Sequence, residues 1–495
     1  MDYLLLSPIL FPLLMGLYLL IRKEMEKRKN LLILTGTALV ITAVLAILSI
    51  GLVNGREFIL FYMTEALPIM FRLDEMGVLF TVLTVLIFLC AGYFSFEYMK
   101  HEEKEKRYYG YYLMTFGILL ALCFAGNMVT FYLFFEMLTL LSMPLVLHNG
   151  SKEAIMAGLK YLFYSMCGAY LALFGLYFAQ KYGVTLAFVG QHIGSELAKG
   201  HEGILLLSAF LMIVGFSVKA GMFPLHAWLP AAHPVAPAPA SAVLSAMIAK
   251  AGVLGIIRVI YYLFDPVFLA GTWVQNAFMA LTLITVFMGS LLAYREPVLK
   301  KRLAYSTVSQ ISYILFGLSV MNMTSVTGGV LHVICHGFIK TALFLCAGAI
   351  IYQTGKTKVE ELKGIGKEMP LLMWCFTIVS LGLIGIPPTG GFISKWYLAI
   401  GALGLGEGSI RPVIAYVGIA VLLISALLTA GYLLPITVQG FFPGADYQYD
   451  ALTKKEPGKL MTVPILILTV LSVLIGLFPN PITEFIRNAI NHIFV

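Results

Sequence analysis

The sequence predicts an all-α polytopic membrane protein with about fourteen transmembrane helices. Hydrophobic residues make up 60% of the 495-residue chain and charged residues only 12%, which is typical of a membrane protein and not of a soluble domain. Apolar runs of roughly 20 residues recur along the whole chain, and a helix needs about that length to cross the hydrocarbon core. Lipid cannot satisfy the edges of an open sheet, so spanning open sheets are excluded.

The individual spans follow from the apolar runs, from LLLSPILFPLLMGLYLLI near the start to MTVPILILTVLSVLIGLF near the end. The basic stretch RKEMEKRK follows the first run, which favours a retained first span over a cleaved signal peptide. The predicted spans lie near residues 3–21, 31–53, 76–98, 109–125, 127–147, 154–180, 204–230, 236–263, 270–293, 301–320, 326–352, 371–404, 411–436 and 460–479.

The basic connections between spans predict the orientation. They lie at 22–30, 100–107, 295–302, 356–368 and around 454–455. With fourteen spans all of them fall on one side, which the positive-inside rule makes cytoplasmic, so both termini face outward. The net charge of +8 therefore reflects topology, and we expect a multi-pass protein of the cell membrane that binds no nucleic acid.

Two spans are interrupted in the same way. Span seven contains GMFPLHAWLP, with Pro224 and Pro230, and span twelve contains GIPPTGGF, with Pro387 and Pro388. Proline removes a ladder hydrogen bond and clashes with the preceding turn. We therefore expect each span to break into two half-helices whose freed backbone groups line a cavity.

The positions of the two breaks predict an internal repeat. If spans 4–8 (109–263) and spans 9–13 (264–436) form two five-helix repeats, each break falls in the fourth helix of its repeat. An odd number of spans gives the repeats opposite orientations, which is the inverted-repeat plan of secondary transporters. A three-helix segment (1–108) then precedes the repeats, and a segment with span fourteen (437–495) follows them.

Four charged residues lie inside predicted spans: Glu136, Lys219, Lys250 and Lys395. An unpaired charge at the membrane centre costs ~2.5–3.5 kcal/mol, so such residues are paired, hydrated or neutral and mark functional sites. The alternative is a helix-end residue whose head group reaches the interface. That alternative suits Arg258, near the end of span eight, as well as a functional role does, but it suits the mid-span lysines poorly.

Span eleven carries His332, His336 and Lys340 at intervals of four residues, along one helix face. Histidine titrates near neutral pH, so this face favours a proton or hydration relay. A structural pair is the main alternative. A metal site is disfavoured because no acidic third ligand is evident and Lys340 would repel a cation. His226, in the break of span seven, is open between holding water and packing.

Three sequence blocks in order resemble one known family. VKAGMFPLHAWLPAAHPVAPAPASAVLSAMIAKAGVLGIIR (218–258), HVICHGFIKTALFLCAG and LGLIGIPPTGGFISKW are similar to signature stretches of the antiporter-like, proton-translocating subunits of respiratory complex I, Mrp sodium/proton antiporters and membrane-bound hydrogenases. The resemblance implies a glutamate–lysine pair and a proton path, with the order Glu136, Lys219, Lys250, His332 with His336, and Lys395. A lysine as the last member makes the chain look more like a Mrp D-type or hydrogenase-type subunit.

The chemistry that the chain lacks limits its role. It has no Walker loop, no dinucleotide fingerprint after a strand, and no CxxC among its six cysteines, so we expect no cofactor and no metal in this chain. The resemblance implies a proton- or sodium/proton-translocating subunit that assembles with antiporter-like neighbours and a redox module, which leaves open whether the whole complex is an enzyme. A Mrp-type antiporter without redox chemistry and a non-conducting scaffold are the alternatives.

Overall fold

The computed structural model describes residues 2–23, 27–53, 55–65, 67–188, 199–404, 412–444 and 454–494. Most of these residues are helical. Parts of the predicted segments lie outside the described residues, namely 24–26 of the first basic connection, 189–198 of the first repeat, 405–411 of the second, and 445–453 and 495 of the last segment.

The first half of the chain is built of helices joined by short connections, because its apolar runs are long and are separated by glycine, proline or charged residues. The helices are α1 (Ser7–Ile21), α2 (Arg28–Val53), α3 (Glu75–Tyr98), α4 (Glu105–Cys123), α5 (Met128–Val146), α6 (Lys152–Lys181), α7 (Glu202–Ala220), α8 (Leu229–Val235) and α9 (Ala238–Leu263).

The second half continues in the same way. Its helices are α10 (Pro266–Leu269), α11 (Trp273–Arg295), α12 (Leu299–Val320), α13 (Met323–Thr354), α14 (Ile365–Glu368), α15 (Pro370–Ile384), α16 (Gly390–Ala402), α17 (Pro412–Phe441), α18 (Lys459–Leu477) and α19 (Asn480–Phe494).

Twelve helices in the described part of the chain are long and apolar enough to cross a membrane. The two remaining predicted spans, four and twelve, coincide with α4 and with the pair α15 and α16. The helical membrane-protein class is therefore confirmed, and each predicted span has a helix or a helix pair at its position. The number of fourteen crossings and the inverted repeat stay predictions.

One extended element departs from the all-α prediction. Strands β1 (Glu57–Thr64) and β2 (Leu67–Arg72) pair antiparallel between α2 and α3. The first strand, EFILFYMT, is apolar yet almost wholly exposed. A short apolar run of this kind does not distinguish strand from helix by its periodicity, which is why the sequence does not indicate the hairpin.

Both predicted helix breaks are present. Helix α7 ends at Ala220, Gly221 adopts a left-handed φ of 80°, and α8 begins at Leu229. Pro224 lies in the connecting turn, but Pro230 lies in the first turn of α8, where a proline is tolerated because its missing N–H has no partner there in any helix. Pro230 therefore starts the second half-helix and does not interrupt the first.

The break in span twelve has the same plan. Helix α15 ends at Ile384, Gly385 has a φ of 95°, and α16 begins at Gly390. Pro387 and Pro388 both lie in the connection between the half-helices, as predicted. A side chain larger than hydrogen at Gly385 would be strained at this backbone angle.

Helix α9 is the most enclosed helix of the described bundle, with every residue of its apolar window buried. Two of its turns are π-helical, at Leu244–Ile248 and Val259–Leu263. Such turns are rare and occur frequently at functional sites. The first of them directly precedes the helical turn that carries Lys250.

Candidate functional site

Lys219 lies at the end of α7, fully buried, and donates to neutral oxygens of α5. Its Nζ lies 3.0 Å from the carbonyl oxygen of Phe135 and 2.7 Å from Thr139 Oγ1, and it is 4.1 Å from the centroid of the Phe135 ring. Glu136 follows on the same helix, close enough for its charge to act on Lys219. The two described side chains nevertheless form no ion pair within 4.0 Å, and Glu136 Oε1 is buried without a hydrogen-bond partner.

The glutamate–lysine pair that the resemblance implies is therefore open in this structure. The pair is open because oxygen atoms of Phe135 and Thr139 already accept the hydrogen bonds of the Lys219 ammonium. This arrangement leaves a half-buried acid and a buried base that interact electrostatically without forming an ion pair.

Lys250 lies at the centre of the bundle with no exposed surface. Within the described chain its one hydrogen bond runs from Nζ to the Ala246 carbonyl oxygen, at 2.7 Å, inside the π-helical turn. Gly252 packs directly on α7, where a Cβ would come within 2.9 Å of Ala220 N. This close contact between α9 and α7 brings Lys250 and Lys219 to similar depth in the bundle.

The two predicted histidines face this centre on α13, with ring centroids 5.9 Å apart. His332 Nδ1 lies 2.9 Å from Ser394 Oγ, and that hydroxyl donates to the Gly391 carbonyl oxygen at 3.0 Å. When the serine proton is directed to Gly391, His332 Nδ1 is the donor and Nε2 is left as an acceptor. His332 Nε2 and both ring nitrogens of His336 are buried without partners among the described residues.

Lys340 lies one turn beyond His336, fully buried. Its Nζ donates to the Leu303 carbonyl oxygen at 3.1 Å and to Ser306 Oγ at 2.7 Å. Ser306 also accepts from Tyr432 at 2.6 Å. The charge of Lys250 acts on Lys340 as it does on both histidines, so these groups form one electrostatic cluster.

Lys395 lies on α16, just after the second break, and is half-buried. Its Nζ donates to the carbonyl oxygens of Leu383 at 2.7 Å and Ile384 at 2.9 Å, which the end of α15 leaves without helical partners. It also lies 4.9 Å from the centroid of the Tyr313 ring. Its charge acts on His332 and His336, so the last member of the predicted path joins the same cluster.

Arg258 does not reach the interface, because its side chain is fully buried against Asp74. Nη2 lies 2.8 Å from Asp74 Oδ1, and Nη1 contacts the other carboxylate oxygen. The guanidinium also contacts the rings of Phe188 and Tyr262, 4.5 Å from each centroid. Arg258 is therefore part of a structural ion pair between α9 and the start of α3.

His226 lies in the first break, half-buried, with its ring stacked on Phe223 at 6.1 Å. Its Nδ1 is buried without a partner in the described part of the chain. The nearest charge that acts on it is Lys160, an exposed residue of α6. Whether His226 holds water or only packs therefore stays open.

Two buried polar groups are not predicted from the sequence. Lys300 and His233 are buried, and both His233 ring nitrogens lack partners among the described residues. Lys300 sits in a basic connection, where a lysine indicates only topology, and His233 is one of two histidines in the first signature block. The signal that could have indicated His233 is its position three residues after the predicted break at 221–230, whereas no local signal indicates that Lys300 is buried.

No group of three or more histidine, cysteine or acidic side chains suited to a metal ion occurs in the described chain. The six cysteines are free thiols, five of them buried. The absence of a cofactor in this chain stays an expectation.

A family model described as NADH:quinone oxidoreductase/Mrp antiporter, transmembrane, matches residues 125–422, which is more than half of the chain. The chain belongs to this antiporter family. The family membership confirms the resemblance of the three sequence blocks, and the matched range contains the whole cluster from Glu136 to Lys395. The protein is accordingly a multi-pass, antiporter-like membrane subunit.

The proteins similar to this chain include subunits of oxidoreductases and of sodium/proton antiporters. The NADH-quinone oxidoreductase subunit N of Desulforudis audaxviator (strain MP104C) is 30% identical over 475 residues, 90% of each chain. The D-type subunit of the Na(+)/H(+) antiporter of Alkalihalophilus pseudofirmus (strain ATCC BAA-2126 / JCM 17055 / OF4) is 27% identical over 98% of this chain and 96% of that protein. A chain of the membrane-bound sulfane sulfur reductase, an archaeal respiratory membrane complex, is 23% identical, covers 98% of this chain and 97% of its own length, and superposes with a TM-score of 0.85, which confirms the fold.

Proposed function

We propose that this subunit moves protons across the cell membrane along the buried cluster of Glu136, Lys219, Lys250, the His332–His336 pair and Lys395. The main support for the proposal is the kind of hydrogen-bond acceptor that each buried lysine contacts. Lys219, Lys250 and Lys395 donate only to carbonyl or hydroxyl oxygens, and no ion pair to any of them occurs in the described chain. A neutral oxygen accepts a hydrogen bond from an ammonium and from a neutral amine alike, so each site tolerates both protonation states.

The histidines supply the connections between the lysines. Buried polar atoms without protein partners are usually satisfied by water, and such atoms occur here on Glu136, Gln310, His332 and His336. Water at these positions would link the amines, which do not bond to one another. His332, whose Nδ1 is bonded to Ser394, would exchange protons with this water through its unpartnered Nε2.

Glu136 and Lys219 form the switch in this proposal. A charge change in a partner subunit closes or opens the pair, and the opened lysine passes its proton toward Lys250. Moving one proton against ~100 mV costs ~2.3 kcal/mol, which corresponds to a change of about two pKa units at ~1.4 kcal/mol per unit. In this proposal the opening and closing of the pair changes the proton affinity of Lys219 by about that amount, and the partner subunit supplies the free energy.

We propose that a redox module in partner subunits drives this switch. Antiporter-like subunits would lie beside this chain, and both termini would face the outside of the cell. Support comes from the 30% identity to a subunit of a quinone oxidoreductase. Redox centres would then lie wholly in partner subunits. The second candidate is a sodium/proton antiporter without electron transfer, which the 27% identity to a D-type antiporter subunit over almost the whole chain favours.

The test uses the assembled complex reconstituted in vesicles. Glu136→Ala and Lys219→Ala are expected to reduce coupled ion transport at least tenfold while the subunits still co-purify. The matched control is Lys152→Ala, at an exposed lysine of α6, which should transport normally. Transport that needs an electron donor supports the redox-driven complex, and sodium-dependent exchange without a donor supports the second candidate. Wild-type transport in both variants would contradict the proposed path.

A further inference from the structure

A small cavity of about 200 Å³, lined by both polar and apolar residues, opens at the level of the basic connections. Its lining includes Glu102 from the connection at 100–107, Lys300 from that at 295–302, and Thr357 from that at 356–368. The positive-inside rule makes this face cytoplasmic. The cavity is therefore a water-accessible indentation on the cytoplasmic side, at a point where three connections meet.

Two opposite charges face each other across this cavity. Lys300 is only 6% exposed, and its Nζ donates to the carbonyl oxygens of Pro234, at 3.1 Å, and Ala236, where α8 ends. Glu102 is half-buried on the other wall, outside the membrane-spanning helices. Burial raises the pKa of Glu102, and the attraction of Lys300 only partly offsets that effect. The carboxyl group therefore keeps its proton to a higher pH than an exposed glutamate does.

His233 lies directly behind Lys300, next to the proline whose carbonyl that lysine binds. Its imidazole is fully buried and stacks on the Phe344 ring, with centroids 4.6 Å apart. Neither ring nitrogen has a partner among the described residues. An unpaired imidazole in an apolar core is costly, so its retention here needs an explanation beyond packing, for which phenylalanine would serve as well.

The far side of His233 leads to the central cluster. The Phe344 ring on which His233 stacks lies one helical turn beyond Lys340 on α13, and the charges of Lys300 and Lys340 both act on His233. Lys340 in turn interacts electrostatically with Lys250 and His336. His233 is therefore a titratable group that interacts both with the lysine at the cytoplasmic cavity and with a lysine of the central cluster.

We propose that Glu102, Lys300 and His233 form a proton-uptake branch that connects the cytoplasmic side to Lys340 and so to the middle of the cluster. A proton from the cavity water binds the Glu102 carboxylate and passes through water to one nitrogen of His233. The imidazolium releases the proton on its other nitrogen to the neutral amine of Lys340, and no oxidant or reductant is consumed. Lys300 positions the branch by holding the end of α8. The inference rests on the proposed function and adds a supply route that does not pass through Glu136 and Lys219.

A packing role for His233 makes a different prediction, and two substitutions separate the roles. His233→Phe keeps the stack on Phe344 but removes both nitrogens, so the branch predicts a loss of transport of at least tenfold, whereas a packing role predicts wild-type transport. His233→Ala leaves room for a small base, so added imidazole should restore transport in His233→Ala and not in His233→Phe. Co-purification of the partner subunits checks that both variants assemble.

A second pair of variants tests Glu102, at the cytoplasmic end of the branch. Glu102→Gln should slow transport several-fold and change its dependence on cytoplasmic pH, which a structural role would not do. Glu103→Gln, at the exposed neighbouring residue, should behave as wild type. The proposal is overturned by normal transport in His233→Phe, or by equal behaviour of the two glutamine variants without rescue of His233→Ala. Lys250→Met in the same vesicles distinguishes failure of the branch from failure of the proposed function. If Lys250→Met transports normally, the proposed function itself is wrong. If Lys250→Met is inactive while the variants of Glu102 and His233 transport normally, the branch alone is wrong.

Discussion

Replacement of Lys250 by methionine is expected to abolish coupled ion transport while leaving the complex assembled. Methionine has a similar length and fills the same buried space, so packing around α9 is retained. It removes the amine that lies between Lys219 and the histidine pair and that reaches only the Ala246 carbonyl. Transport by reconstituted vesicles should fall to the background, at least a hundredfold if no other group can replace Lys250.

The companion variant Lys250→Arg separates charge from proton exchange. Arginine keeps a positive charge but does not release its proton in proteins, so a relay predicts inactivity for Lys250→Arg too. A lysine that acts only as a fixed charge predicts activity. Lys363→Met, at an exposed lysine, is the control and should transport normally. Wild-type rates in Lys250→Met would show that protons bypass the centre of the bundle.

The second large effect concerns stability and the ion pair between Asp74 and Arg258. Asp74→Asn is expected to destabilise the protein by ~3–5 kcal/mol, because it leaves a buried guanidinium without its counter-charge. Asparagine is as good a helix N-cap as aspartate, so the bond from Gly77 N to the side chain at position 74 survives. The loss therefore reports the ion pair and not the cap. The temperature of unfolding in detergent measures it.

Two further variants serve as controls for the effect of Asp74→Asn. Glu57→Gln removes the exposed partner of Arg72, whose contact of 3.2 Å is in reach of water, and should cost at most ~1 kcal/mol. The double variant Asp74→Asn with Arg258→Met removes both buried charges, keeps the N-cap bond from Gly77 N and should regain much of the lost stability. If Asp74→Asn were as stable as Glu57→Gln, the pair would have no structural role.

The pH dependence of the same pair has a definite sign. Burial alone would raise the pKa of Asp74, but the Arg258 guanidinium outweighs it and holds the pKa below its ordinary value. The folded protein therefore binds this proton less tightly than the unfolded chain does. Stabilisation by the pair is present at neutral pH and is lost as the pH falls below the usual range of aspartate.

The sequence predicts the helices well because hydropathy and helix breaks are local properties. Pro224 and the pair Pro387–Pro388 lie in the turns that divide spans seven and twelve, since glycine and proline act on their own stretch of backbone. The buried lysines are predicted on the same ground, because a charge in an apolar run is visible without knowing its neighbours. The family resemblance then places them in one path.

Contacts between distant helices are what the sequence does not predict. Asp74 precedes α3 and Arg258 lies 184 residues later, so nothing local indicates that they pair. Lys219 meets Phe135 and Thr139 in place of the Glu136 carboxylate because side-chain rotamers decide among oxygens that lie within one helical turn. Lys300 looks like any residue of a basic connection until the end of α8 folds against it.

Infrared difference spectroscopy of the reconstituted complex during turnover, with ¹⁵N-labelled lysine and histidine, tests the central claim most directly. The proposed path predicts that ammonium and imidazole bands change during turnover, and that the lysine change is reduced in Lys250→Arg. Proton translocation at the wild-type rate without any change in these bands would contradict it, because protons would then cross the protein without passing through its buried side chains.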